Sequence, residues 1–274
     1  MAIKFVDRVP TYPNRIKFTA EDGTVKYGVW ERADSPTVVG TPINAANLNA
    51  MQQSAGLSSN MTVFVSTTGS DNTGNGTNGT PYATIAKALN SLPKNLNGFA
   101  ATVYIAGGTY DEEIQVWGFN GGSIIITGVE GAVVTARSLS VGQTTSLRIE
   151  NINLTLTYPA EVFSAYIVEA TVNLRSGKLT INSTSPGGFF ANTGALLYIT
   201  DLSVSNVQHY CVTASNNASV HIQNATLATS GTGLISSYGG VITYHTVENN
   251  AAVKTSTISG GRIYSGAQTS IPNY

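Results

Sequence analysis

Asp111-Glu112-Glu113 is the densest run of acids in the 274-residue sequence. Two carboxylates at a suitable separation cleave glycosidic bonds, and a Lys or Arg base beside a carboxylate-bound metal eliminates across uronic acids. The trio is therefore the catalytic candidate, with a solvated acidic turn as the plain alternative. Glu161, Glu169, Asp201 and Glu248 stand singly. His209, His221 and His245 lack ligand spacing and Cys211 is the sole thiol, so neither a metal nor a cofactor is expected. The glycine-rich stretch Gly69 to Gly79 has no following Lys-Ser/Thr, which argues against a phosphate cradle.

A second constellation is periodic. Leu147-Arg148-Ile149, Val172-Asn173-Leu174, Leu197-Tyr198-Ile199 and Val220-His221-Ile222 each place a polar or aromatic residue between two apolar ones. If the apolar members point inward, Arg148, Asn173, Tyr198 and His221 form an outward row, because strand side chains alternate. Such a row suits sugars: aromatic faces cover the apolar side of a ring, while amide and guanidinium groups reach hydroxyls. Ordinary solvent-facing strand residues are the plain alternative. Glu150, Arg175, Thr200 and Gln223 follow at a matching position, which puts Glu150 and Arg175 within ion-pair reach of each other.

The elements that must position these rows are short strands in a repeat. Ile149 to Leu174 spans 25 positions, Leu174 to Ile199 another 25, and Ile199 to Ile222 spans 23. The pairs Ile167-Val168, Phe189-Phe190, Cys211-Val212 and Leu234-Ile235 keep step, as do Leu154/Leu156, Leu179/Ile181, Leu202/Val204 and Leu227. A unit of this length cannot bury its apolar face without a neighbour, so the period marks a solenoid. β-branched residues and Thr fill the units, and helical periodicity is absent after about Leu92, which favours strands over a leucine-rich repeat. The expected fold is all-β: a right-handed parallel β-helix with three strands per rung. In each apolar pair only one residue can fill the core. Phe189, Phe190, Leu234 and Ile235 are therefore assigned to an oligomer interface, unless the loop Thr157 to Tyr166 covers the outward stripe.

Charged residues make up 11% of the sequence and the net charge is −1. That balance offers no attraction to nucleic acid or an anionic membrane, and neither partner is expected. A single cysteine excludes an intrachain disulfide, and its place in an apolar pair makes it a small core residue. Met1 to Thr11 lacks the apolar core of a secretory signal, and no apolar run approaches a membrane span. The expectation is synthesis in the cytoplasm without a signal peptide.

Residues 1–58 read differently. Asp22-Gly23 between Arg15-Ile16-Lys17-Phe18 and Val25-Lys26-Tyr27-Gly28-Val29-Trp30 predicts a hairpin, and Thr41-Pro42 begins a short helix carrying Ile43, Ala46, Leu48 and Met51. Ala2-Ile3-Lys4-Phe5-Val6-Asp7-Arg8-Val9-Pro10-Thr11-Tyr12-Pro13, with Val39-Gly40-Thr41-Pro42-Ile43-Asn44-Ala45-Ala46-Asn47-Leu48, resembles the opening of tail appendage proteins in phages and prophages of Firmicutes. The resemblance implies a segment anchoring a fibre or spike to a tail or baseplate, a homotrimer, and a place in the virion. Residues 59–98 hold an opening strand, a loop and a capping helix. Val63-Phe64-Val65-Ser66-Thr67-Thr68-Gly69-Ser70-Asp71 with Pro81-Tyr82-Ala83-Thr84-Ile85-Ala86-Lys87-Ala88-Leu89 resembles the start of pectate-lyase-like β-helix domains. Ile85, Ala88, Leu89 and Leu92 form a helical stripe suited to cover the first open rung. Residues 99–274 form the β-helix and its tail. The leading expectation is an appendage subunit presenting a surface to a host glycan; a polysaccharide depolymerase and a ligand-free spacer are the alternatives.

Overall fold

The computed structural model describes residues 15–19, 25–29, 56–157, 163–175, 177–229 and 231–265. The chain divides into two compact units, Met1–Ala55 and Gly56–Tyr274. In the first, β1 (Arg15–Thr19) pairs antiparallel with β2 (Val25–Val29), Arg15 opposite Val29 and Thr19 opposite Val25. The expected hairpin is present. Its Asp22-Gly23 turn and the helix expected from Ile43 to Met51 lie outside the described residues.

The second unit is a parallel β-solenoid of about 7 turns. Each central turn contributes a strand to each of three ladders. Ladder I stacks Ile126, Ile149, Leu174, Ile199 and Ile222 in direct register. Ladder II stacks Val134, Leu154, Leu179, Leu202 and Ala225. Ladder III stacks Leu139, Ala165, Phe189, Val212 and Leu234. All of these side chains are buried. Period-2 alternation turns one residue in two inward, and stacking gives each the same kind of neighbour above and below. Burying a Leu, Ile, Val or Phe side chain contributes roughly 1.5–3 kcal/mol, so the column of inward residues supplies most of the stabilisation.

The first turn is closed by the helix Ile85–Asn90, which buries Ile85, Ala88 and Leu89 against the opening strands. Thr84 caps it, accepting from Lys87 N at 3.1 Å. Asp71 holds that cap from the preceding loop, accepting from Ala83 N at 2.8 Å, Thr84 N at 3.1 Å and Thr84 Oγ1 at 2.6 Å. Burial pulls the Asp71 carboxyl upward, but these hydrogen bonds outweigh it and leave its pKa below the ordinary value. The Gly107-Gly108-Thr109-Tyr110 turn is also structural. The Tyr110 hydroxyl donates to Ala106 O at 2.8 Å, and burial, helped by the Glu112 charge, pushes it up to about 12.

Two details depart from the periodicity. The structure pairs Ala165-Tyr166, not Ile167-Val168, with Phe189-Phe190, and it pairs Val212-Thr213, not Cys211-Val212, with both Phe189-Phe190 and Leu234-Ile235. The first slip is of two residues, so it keeps the face; Ala165 is too small to mark a core position by hydrophobicity alone. The second is of one residue, which flips the side chain. Thr213 accordingly interrupts the expected apolar stripe. The strand Phe163–Arg175 also takes up the last part of the loop expected to run from Thr157 to Tyr166.

Candidate functional site

Arg148, Asn173, Tyr198 and His221 occupy one column of ladder I. Arg148 lies opposite Asn173, Asn173 opposite Tyr198, and Tyr198 opposite His221. Thr243 and Tyr264 continue the column. The flanking apolar residues Leu147, Ile149, Val172, Leu174, Leu197, Ile199, Val220 and Ile222 are all buried, which forces the middle residues outward.

The column is more closed than open. Tyr198 and His221 stack with ring centroids 4.8 Å apart and planes 14° apart, matching the spacing of the rungs. His221 Nδ1 hydrogen-bonds Thr243 Oγ1. Tyr198 keeps 6% of its surface exposed and Asn173 only 2%. Rings stacked along the column present edges to solvent and hide their faces. The column therefore offers hydrogen-bonding tips, rather than the aromatic faces that the sequence suggests. Asn173 Oδ1 is buried with no donor among the described residues. A buried acceptor without a donor costs about 1–3 kcal/mol, so Asn173 is an unsettled polar point of the column, as is Arg148 Nε.

Beside it runs the charged row. Arg148 Nε approaches Glu150 Oε2 at 3.1 Å, an ion pair along one strand whose angle makes no hydrogen bond. Both partners are about a third exposed, so the pair contributes under ~1 kcal/mol. Glu150 also stands in register with Arg175 one rung on. The result is a carboxylate with one guanidinium on its own rung, Arg148, and another on the next, Arg175. Thr200 turns its hydroxyl to Leu174 O at 3.1 Å.

The acidic trio is divided among three fold contacts. Glu112 accepts from Ile85 N at 2.7 Å and Ala86 N at 2.8 Å, binding the first N–H groups of the capping helix. Asp111 pairs with Arg137 Nε at 2.7 Å, and this holds its carboxyl below the usual range. Glu113 accepts from Gln115 Nε2 at 2.7 Å. Among the described residues, no group of three or more His, Cys, Asp or Glu is placed to hold a metal ion. The Cys211 thiol is buried, and burial pushes it up to about 12.

On ladder III, Phe189 and Leu234 point into the core, whereas Phe190 is half-buried on the outer face and Ile235 nearly buried there. Phe163 stacks on Phe190 at 4.4 Å, and Tyr166 tilts against it at 5.7 Å. One residue here escaped the sequence reading. Trp117 stands opposite Gly142 and leans over it, donating from Nε1 to Ser140 Oγ at 2.9 Å. A Cβ at Gly142 would lie 2.3 Å from the indole, so only glycine admits this pose. The indole stays 37% exposed. The signal was the glycine: one placed opposite a Trp on a neighbouring strand makes room for the ring.

No protein-family model, no curated protein and no solved structure matches the chain.

Proposed function

We propose that this chain is a subunit of a phage or phage-like tail appendage, a fibre or spike carried in the virion. In this reading residues 1–58 attach the subunit to a tail or baseplate protein, and the solenoid presents a binding face to a host-surface glycan. The observation that carries the reading is the Arg148–Asn173–Tyr198–His221 column. Four different planar, hydrogen-bonding side chains are held in one row by register, with the Glu150 carboxylate beside Arg148 and in register with Arg175. Sugars are recognised through many hydroxyls at fixed spacing, and a rigid column of amide, guanidinium, phenol and imidazole groups answers that need. The sparse charge and the wording of the opening segment support the same reading. Homotrimerisation belongs to it as well, through the outward residues of ladder III, Phe190 and Ile235, with Tyr166 alongside.

Co-sedimentation of the purified chain with bacterial cell-wall polysaccharide tests the binding face. Retention is expected for the native chain, and Tyr198→Ala should weaken it about tenfold while the far-ultraviolet circular dichroism keeps its strand signature. Retention unchanged in Tyr198→Ala and in Arg148→Ala would remove the column from the reading. Absence of retention in the native chain would leave the solenoid as a spacer. Sedimentation equilibrium tests the assembly: a mass three times 28.6 kDa is expected, falling toward the monomer in Phe190→Glu.

A further inference from the structure

The turn from ladder III to ladder I is the same length in almost every central rung. The step runs from Val141 to Leu147, Ala191 to Leu197, Ala214 to Val220 and Ser236 to Ile242, six positions each time, with both ends aligned by register. In one rung alone it is shorter. Ile167 to Val172 is five positions, and the pairing shifts between Ala170 and Val172. A corner one residue short cannot reach as far out as its neighbours, so it leaves a recess between the rungs on either side. The structure has an open groove of about 330 Å³ at this place. Thr144 and Ala170, both buried, form its floor, and Gln143, Thr145, Glu169 and Thr171 form its walls.

Three features define what the groove would take. Its walls are hydroxyls, an amide and one carboxylate: many hydrogen-bonding groups and a single negative charge. Gln143 and Glu169 hold φ of 47° and 48°, the left-handed region that such residues rarely adopt, so their side chains are carried on a constrained backbone. At the ladder III side, the half-exposed Trp117 indole covers Gly142, the residue immediately before Gln143. Hydroxyls and an amide around the recess, a carboxylate to accept paired hydroxyls, and an aromatic ring outside the groove lining on the neighbouring rung together suit a pyranose. The volume is at the small end of ligand sites, ~300–1,000 Å³, which suits one sugar residue. The Glu169 charge disfavours an acidic sugar.

We infer that this short-corner groove is a binding subsite for a single neutral sugar residue, held by Glu169, Gln143 and Thr145. It rests on the glycan reading above and extends it: Thr171 lies on the same strand and face as Asn173, two residues away, so a saccharide seated in the groove continues toward the ladder I column.

Saturation-transfer NMR of the full chain with glucose, galactose, N-acetylglucosamine and glucuronate tests it. At least one neutral sugar should bind and glucuronate should not. Asn suits a left-handed backbone, so Glu169→Asn should keep the thermal midpoint at or above that of the native chain. It should also weaken the sugar about 10- to 100-fold, the loss expected when a hydrogen bond to a charged group is removed. Thr145→Trp, at an exposed position, should fill the groove and abolish the signal. No neutral sugar binding, or binding indifferent to both variants, overturns the inference. Polysaccharide retention lost in Tyr198→Ala but kept in Glu169→Asn and Thr145→Trp would overturn the groove and spare the column. Monosaccharide binding in the groove without polysaccharide retention would do the reverse.

Discussion

Two outward columns of the solenoid share one backbone geometry and differ in every other respect. On ladder II, Thr135, Thr155, Thr180, Ser203 and Thr226 stand in successive register. Each of these five rungs presents a small hydroxyl, Thr or Ser, and none of these residues is fully buried. On ladder I the last four of these rungs carry Arg148, Asn173, Tyr198 and His221, no two alike, and the middle two are buried among their neighbours. A β-branched hydroxyl satisfies a solvent-facing strand wherever nothing further is required. Its steady repetition is what the fold asks of an outer column. Rung-by-rung variety with a buried, unmatched Asn173 acceptor is not what stability selects, because such an acceptor weakens the fold. The contrast sets a column that stability alone explains beside one that it does not.

The largest effect should strike both columns together, since both hang on one core. Phe189 is fully buried on ladder III, and Phe189→Ala should destabilise the chain by ~3–5 kcal/mol. Denaturant unfolding measures this. A loss under ~1 kcal/mol would mean that the ladder III core is loosely packed and that the columns are held independently.

Next come the columns themselves. Tyr198→Ala should weaken glycan retention about tenfold, whereas Thr180→Ala on ladder II should leave it unchanged; equal losses would erase the distinction. Acid sharpens the comparison from a third place. Asp71 and Asp111 both have folded pKa values below the ordinary 3.8, Asp71 through its hydrogen bonds and Asp111 through Arg137. A carboxyl with a lowered folded pKa contributes stability that is present above its unfolded pKa and lost as pH falls through the folded one. Both residues hold the first turns. Below about pH 4, hydrogen exchange at Ala83, Thr84 and Ile85 should therefore accelerate before exchange in either column does. Simultaneous loss across ladder I would show the columns to be acid-labile in their own right.

The repeat was readable because its inward residues recur: Ile149, Leu174, Ile199 and Ile222 were aligned by spacing and are aligned in register. The outward column followed from alternation alone. Ladder III resisted because its inward column is Leu, Ala, Phe, Val, Leu, where Ala165 gives no hydrophobic signal and the buried Cys211 draws the alignment one residue away from Val212. The direction in which the Tyr198 ring turns was not legible, since stacking on His221 depends on two rungs at once. Nor was the groove beside Glu169. A missing residue is visible only when the neighbouring turns are already in register. The acidic trio was legible as a cluster but not as three separate contacts, because Ile85 and Arg137 meet it from other parts of the chain while Gln115 takes Glu113 within its own strand.

The smallest effect is the most telling. Thr155→Val on ladder II keeps the β-branched shape and removes one hydroxyl from a position that is half-exposed. Its neighbours in register, Thr135 and Thr180, are unchanged, and the inward Leu154 and Leu156 are untouched. A surface substitution of this kind shifts stability within about ±0.5 kcal/mol, and polysaccharide retention should not move at all. The parallel change on ladder I, Asn173→Leu, removes the buried acceptor that lacks a donor and puts an apolar side chain of similar size in its place. If the acceptor is retained for a ligand, that variant should gain stability and lose retention. Thr155→Val should do neither. A chain in which Asn173→Leu is destabilised and still fully retained would mean that Asn173 is there for the scaffold, and the two columns would differ in composition without differing in role.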